Sequence, residues 1–396
     1  VKEAATTPQA AKAAEPRSLP AQSLWLRPGT LGFVAALSLT CWGALSQRAT
    51  REKKVDFSKI AFKNWGISNP FKKSHVSATE AWKLSTGNRD VVVAVIDTGI
   101  DSTHPDLSPN LWRDPRAVAG QPQYGWDFVT QKPNPRDDHG HGTHVSGIIG
   151  ATINPAKGVG GVAPEVSLMS LRYYAVGNSG SDNLRNTVKA INYAVDKGAK
   201  IINYSGGGPE FSEEEYFAIK RAEAAGVLFV SAAGNESKDT DKVENYYYPA
   251  AYRLSNIISV ASTDINNVIL RSSNQGAVRV DIAAPGENIF STLPGAAYGN
   301  MTGTSQATAF VTGAAALLLA KNPKLTPAEL KSLILESADL VPELRGKVAN
   351  GARLNAHAAL LRLLKLRPSS TPSLLARSPS ELMRDLLSPA PAAAGN

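Results

Sequence analysis

The stretch Arg89-Asp-Val-Val-Val-Ala-Val-Ile-Asp97 decides the class of fold. Between its charged ends, residues 91–96 are apolar without alternation. A half-buried strand alternates apolar and polar side chains, so a short unbroken run rich in valine predicts a strand covered on both faces. Such strands belong to parallel sheets. Working outward, strand-like runs recur at 166–172, 200–205, 227–232, 257–261 and 278–283, with helical segments at 144–151, 182–197 and 212–225. Ser212 with Glu215, and Thr326 with Glu329, have the spacing of capping boxes, the second with Pro327 at the first helical position. Residues 307–320 are small and apolar and predict a buried helix that Pro323 stops. Strand–helix alternation sustained this far predicts one doubly wound α/β domain with a mainly parallel sheet.

The rest of the composition narrows the functional classes. The chain has 396 residues, 43% of them hydrophobic, and 32 glycines, which suits a globular core with many tight turns. Net charge is +8, but no long basic run is interleaved with aromatics, which argues against a nucleic-acid partner. Cys41 is the single cysteine, so no intrachain disulfide is available, and any stabilising cross-link must be something else, for instance a metal held by oxygen ligands. Residues 1–30 are rich in Ala, Pro, Ser and Lys and predict disorder. Residues 31–46 are apolar, too short for a stable membrane span and long enough for a secretory signal; Ala44-Leu-Ser46 offers a cleavage site. Domain organisation is therefore expected as 1–46 disordered start plus signal peptide, 47–64 linker or short pro-segment, 65–364 enzyme domain and 365–396 disordered tail. That tail is rich in Pro, Ser and Ala, with a short amphipathic helix at 380–387. The expected location is outside the cell or in its envelope.

Functional groups in a parallel α/β sheet collect past the C-terminal strand ends. Asp97 follows the first strand at once, with Gly99 for a sharp turn. Asp137-Asp-His-Gly-His-Gly-Thr-His144 places three histidines in six residues. One reading is zinc held by His139, His141 and His144; the other is a single general base at a helix start. Asn235, in Ser231-Ala-Ala-Gly-Asn235, offers a neutral amide donor to an oxyanion. Asn203-Tyr-Ser-Gly-Gly-Gly208 leaves bare backbone onto which an extended peptide can add as a strand. Ser305 follows Gly303-Thr304 at the start of the buried helix, where the local potential favours developing negative charge; a plain N-cap is the bland alternative. Together, carboxylate, imidazole, amide and hydroxyl are the parts for nucleophilic acyl transfer.

Four of these motifs carry a resemblance. Val95-Ile-Asp-Thr-Gly-Ile-Asp101, His141-Gly-Thr-His-Val-Ser-Gly147, Ala232-Ala-Gly-Asn235 and Gly303-Thr-Ser305 occur in the order Asp, His, Ser. Over residues 65–361 the chain resembles the bacterial subtilisin-like serine proteases, whose fold is a three-layer doubly wound α/β domain. The serine-first order of α/β-hydrolases is excluded. The resemblance implies a serine endopeptidase, active as a monomer on extended polypeptides and needing no cofactor for catalysis. It assigns Ser305 as nucleophile, His141 as base, Asp97 as its orienter and Asn235 as oxyanion donor, with His144 structural. It makes Ser205, Gly206 and Gly207 one edge of the substrate channel and Asn178, Ser179 and Gly180 the other. Ala232, Ala233 and Gly234 line the first specificity pocket, and Tyr247 shortens its floor, implying small P1 residues. Glu236, by contrast, would favour a basic one. It also implies a structural calcium ion held by Asp106, Thr152, Asn154 and Val159, although that loop is one residue longer here and carries Lys157. Gln306, Ala309 and Phe310 depart from the family's usual Met, Pro and His.

Overall fold

The computed structural model describes residues 56–118 and 123–366. The stretches expected as a disordered start, a signal peptide and a tail helix at 380–387, and Cys41, lie outside the described residues. In chain order come α1 (Ala78–Ala81), β1 (Gly87–Asp97), β2 (Gly125–Asp127), β3 (Lys132–Pro133), α2 (His141–Gly150), β4 (Glu165–Arg172), α3 (Gly180–Asp196) and β5 (Ile201–Tyr204). They are followed by α4 (Glu213–Ala224), β6 (Leu228–Ala232), β7 (Ile257–Thr263), β8 (Ile282–Pro285) and a hairpin of β9 (Ile289–Leu293) and β10 (Ala297–Met301). The chain then forms α5 (Thr304–Lys321), α6 (Pro327–Glu336), β11 (Asp339–Leu340), β12 (Ala352–Arg353) and α7 (Ala356–Leu366).

β1 forms where the apolar run predicts it and is buried on both faces. Val93 and Val95 enter one core with Val230, Val260 and Phe310, while Ala94 and Ile96 enter a second with Ile191, Ile219 and Phe229. The first core lies under α2, α5 and α6 and the second under α3 and α4, which makes the three layers. Each buried Val or Ile contributes about 1.5–3 kcal/mol, so a carboxylate at Val93 would remove that and bury an unpaired charge as well. The main sheet runs β11-β12-β8-β7-β6-β5-β1-β4-β2-β3. Pairing is parallel from β12 to β2, with antiparallel pairs at the two edges. β1 has β4 on one side and β5 on the other, so the strand order reverses at β1. The crevice for a ligand opens at that reversal, beyond the carboxyl ends.

Differences from the sequence expectations have local causes. The Thr326–Glu329 box forms in full. Ser212 accepts from the Glu215 N–H at 3.2 Å, but the Glu215 carboxylate does not reach back; it accepts from Tyr252 Oη at 2.9 Å instead. β8 begins at Ile282 rather than 278, because the Val278 and Arg279 N–H groups bind the Asp241 carboxylate and not a neighbouring strand. Residues 56–64, expected as linker or short pro-segment, pack on the domain: Phe57 and Phe62 meet Trp82 edge-on, with ring centroids 5.2 and 5.4 Å apart. The Lys63 N–H also bonds Gly158 O at 3.0 Å. Among the described residues no helix is long and apolar enough to cross a membrane.

Candidate active site

Asp97 ends β1 and is buried. The chain must turn at once, and Gly99 allows it with φ +112°; a Cβ there would lie 2.8 Å from the Arg136 carbonyl oxygen. Asp97 Oδ1 accepts from the Thr98 N–H at 2.8 Å and pairs with His141 Nδ1 at 2.7 Å. His141 is the first residue of α2, three residues earlier than the helix was expected. Its position is set by Asp137, a residue whose role the sequence reading missed. Asp137 Oδ1 accepts from Thr98 Oγ1, His139 N and Gly140 N, and Oδ2 accepts from Thr143 N and Thr143 Oγ1. The carboxylate thus satisfies N–H groups around the helix start that lack intrahelical partners, and ties them to the turn after Asp97. The Gly142 N–H adds a bond to Thr98 Oγ1 at 2.9 Å. Burial disfavours the His141 imidazolium, but the charge and hydrogen bond of Asp97, with the charge of Asp137, outweigh it and raise the pKa above the usual 6.5.

Ser305 lies in the first turn of α5. The N-cap Gly303, at φ 155° and ψ 174°, adopts a conformation that side chains disfavour, and the turn aims the hydroxyl out of the helix. The Ser305 hydroxyl donates to the Ser205 carbonyl at 3.3 Å rather than to His141. Its N–H belongs to the first helical turn, where no intrahelical acceptor exists. Asn235 follows β6, and its Oδ1 accepts from the Thr304 N–H at 3.0 Å and from Thr304 Oγ1 at 3.2 Å. That fixes the amide with its NH2 directed away from the helix backbone, as a donor.

The expected substrate edges also meet here. Ser205, Gly206 and Gly207 continue from β5, and Gly208 makes a two-way bridge with Tyr248. A Cβ on Gly207 would sit 2.4 Å from Tyr247, and one on Gly234 would sit 3.1 Å from it. Tyr247 therefore fills the space between the Gly207 ribbon and the Ala232-Ala233-Gly234 segment. Glu236 Oε2 accepts from Asn274 at 2.6 Å and also lies against Gly234, 2.4 Å from where a Cβ there would stand. Of the other edge, Ser179 caps α3 by accepting from the Asp182 N–H, Asn178 is half-buried, and Gly180 faces a cavity it shares with Gly207.

The subtilase family model matches residues 88–360. The chain belongs to the subtilase family. Thermitase of Thermoactinomyces vulgaris is 36% identical over 74% of this chain and 96% of its own length. Subtilisin Savinase of Lederbergia lenta is 38% identical over 69% and 90%, and the major intracellular serine protease of Bacillus subtilis 39% over 61% and 72%. This subtilase is a serine endopeptidase that hydrolyses polypeptides.

Within the subtilase the three clustered histidines do not converge. His144 Nε2 faces the carbonyl oxygens of Ile289 at 2.9 Å and Gly299 at 3.2 Å, and burial lowers its pKa to about 4 despite them. His141 is committed to Asp97, and the His139 and His141 rings stand 6.3 Å apart. Among the described residues no group of three His, Cys, Asp or Glu side chains is placed to hold a metal ion, which removes the zinc reading.

The calcium loop is brought together, but in another way. Calcium needs six to eight free oxygen ligands. Here Asp106 Oδ1 accepts from Asn154 Nδ2 at 2.9 Å, and Asp106 Oδ2 accepts from Tyr298 Oη at 2.7 Å. The Val159 carbonyl accepts from the Asn154 N–H at 2.8 Å, while the Thr152 N–H donates to the Asp106 carbonyl at 2.9 Å. The Lys157 ammonium lies 5.7 Å from the Tyr298 ring centroid. Arranged so, both carboxylate oxygens of Asp106 are engaged by protein donors.

Proposed function

We propose that Asp97, His141 and Ser305 form the catalytic triad of this endopeptidase. The observation that carries the reading is the 2.7 Å bond from Asp97 Oδ1 to His141 Nδ1, which leaves Nε2 as the free basic nitrogen beside the Ser305 helix. With substrate present, the Ser305 hydroxyl leaves the Ser205 carbonyl and donates to His141 Nε2; such bonds are often long in free enzymes. Oγ attacks the scissile carbonyl as its proton passes to His141. The Asn235 NH2 and the Ser305 N–H donate to the oxyanion. Collapse breaks the C–N bond, the amine leaves with the His141 proton, and water deacylates the serine by the same steps. Losing the Asn235 donor costs about 10²–10³ in turnover, a magnitude established on a subtilisin.

A fluorophosphonate tests the assignment on wild type and Ser305→Ala. The expected result is labelling of the wild type alone, at Ser305; a folded wild type that stays unlabelled would instead be a peptide-binding protein. Tyr247 leads to the second part of the reading, a preference for small P1 residues. A peptide-library profile peaking at Phe or Leu overturns it. The enzyme acts as a monomer, and the apolar stretch 31–46 supports export to the envelope or beyond. The 152–159 loop is closed by protein groups in place of calcium.

A further inference from the structure

Beyond the ribbon that reaches Ser305, a cavity of about 600 Å³ opens between the two substrate edges. Gly180 lines it from one edge and Gly207 and Gly208 from the other. Its walls include the rings of Tyr173, Tyr204 and Tyr248. Tyr173 and Tyr204 pack at 5.3 Å and reach under Gly206, where a Cβ would lie 2.2 Å from Tyr173 Oη. The charged residues that line the cavity are Glu210, exposed, and Glu215, only 3% exposed; no lysine or arginine lines it among the described residues.

Among the described residues Glu215 has one side-chain partner, Tyr252 Oη, on Oε2 at 2.9 Å. That hydroxyl also lies 2.9 Å from the Ser212 carbonyl, so its single hydrogen is divided between two acceptors. Burial raises the Glu215 carboxyl to about 7, against the Tyr252 bond, with no cation beside it among the described residues. Aromatic faces with a carboxylate among them are a site for a long side chain ending in a cation: rings attract it through their quadrupoles, and the carboxylate pairs with its head.

The geometry points to this cavity as a subsite for an arginine or lysine of the substrate, with Glu215 as the residue that selects it. The inference rests on the protease reading above. A substrate strand paired along the glycine ribbon advances about 3.3 Å per residue. Ser205 touches the nucleophile and Gly208 lines the cavity, so the selected residue stands about three positions from the scissile bond. This selectivity is separate from the first pocket, where Tyr247 intrudes.

The test uses fluorogenic peptides with a small P1 residue, in which each flanking position carries in turn arginine, its neutral isostere citrulline, or norleucine. Rates are expressed per fluorophosphonate-labelled site on the full chain. Expected is a kcat/KM at least about tenfold higher for arginine than for citrulline at one position, falling towards equality in Glu215→Gln. Equal rates for arginine and citrulline at every position in the wild type overturn the inference and leave the protease intact. The same holds for an arginine preference that Glu215→Gln does not reduce. The arginine–citrulline comparison needs no variant, so a misfolded Glu215→Gln would not spare the inference. Absence of both labelling and cleavage overturns the inference and the protease reading together.

Discussion

Asp137 and Asp106 are both buried carboxylates with both oxygens bonded to protein donors, yet they do opposite work. The donors to Asp137 are mostly main-chain N–H groups around the start of α2, within six residues of it, plus the hydroxyls of Thr98 and Thr143. Fixing them fixes His141 against Asp97, so in the proposed mechanism the carboxylate pre-organises the base without touching the reaction. Asp106 is held by two side chains from distant segments, Asn154 and Tyr298, and closes a loop onto the β9–β10 hairpin. The comparison teaches that a carboxylate's role is set by what its donors are attached to.

The largest effect expected on the Asp137 side comes one bond further on. Asp97→Asn should lower kcat by about 10⁴, because the amide stabilises the wrong His141 tautomer. The same variant should shift the acid limb of kcat/KM. With His141 as the proposed base, catalysis needs it neutral, so activity is lost as pH falls through its pKa. In the wild type that pKa is raised chiefly by Asp97 once burial is overcome, and without the Asp97 charge the limb moves to lower pH. An acid limb that stays in place in Asp97→Asn would mean that another group titrates there.

Asp137→Asn is expected to come second. The amide's NH2 would replace an oxygen that now accepts two or three donors, leaving buried N–H groups unpaired at about 1–3 kcal/mol. Denaturant midpoints should fall accordingly, and kcat should drop with KM little changed, because His141 is misplaced rather than the substrate edges. If stability falls while kcat per labelled site stays at the wild-type level, Asp137 is a cap and nothing more.

The same contrast explains what was legible in the sequence. β1 was readable because burial on both faces writes itself into six consecutive residues, and the Thr326–Glu329 box because its partners are three apart. The four groups proposed for the reaction stand where strand ends and glycines draw attention to them. Asp137 stood in plain view beside the histidines, and five acceptor bonds could have been suspected from a carboxylate just ahead of a helix start. Long-range partners leave no such trace. Nothing near Glu215 announces that Tyr252 will take its carboxylate, and nothing near Asp106 announces Tyr298, 192 residues on. Short edge strands such as β3 and β11 are fixed by pairing alone and carry no pattern of their own. The calcium expectation meets the same limit: the four loop residues match, but Asn154 turns its amide on Asp106 and a distant Tyr298 takes the other oxygen.

The smallest effect tests the Asp106 side directly. A chelator should leave the melting temperature and activity of the wild type unchanged, because the Asp106 oxygens are engaged by Asn154 and Tyr298. Tyr298→Phe should then cost about 0.5–1.5 kcal/mol, the net worth of one hydrogen bond, and should do so equally with and without calcium. A wild-type melting temperature that rises with calcium would mean that Asn154 and Tyr298 yield Asp106 to an ion. Asp106 would then be a ligand waiting for its metal, and the two carboxylates would differ in kind rather than in the placement of their donors. A rise confined to Tyr298→Phe would sharpen the contrast, since removing one hydroxyl would have freed the oxygen that the ion requires.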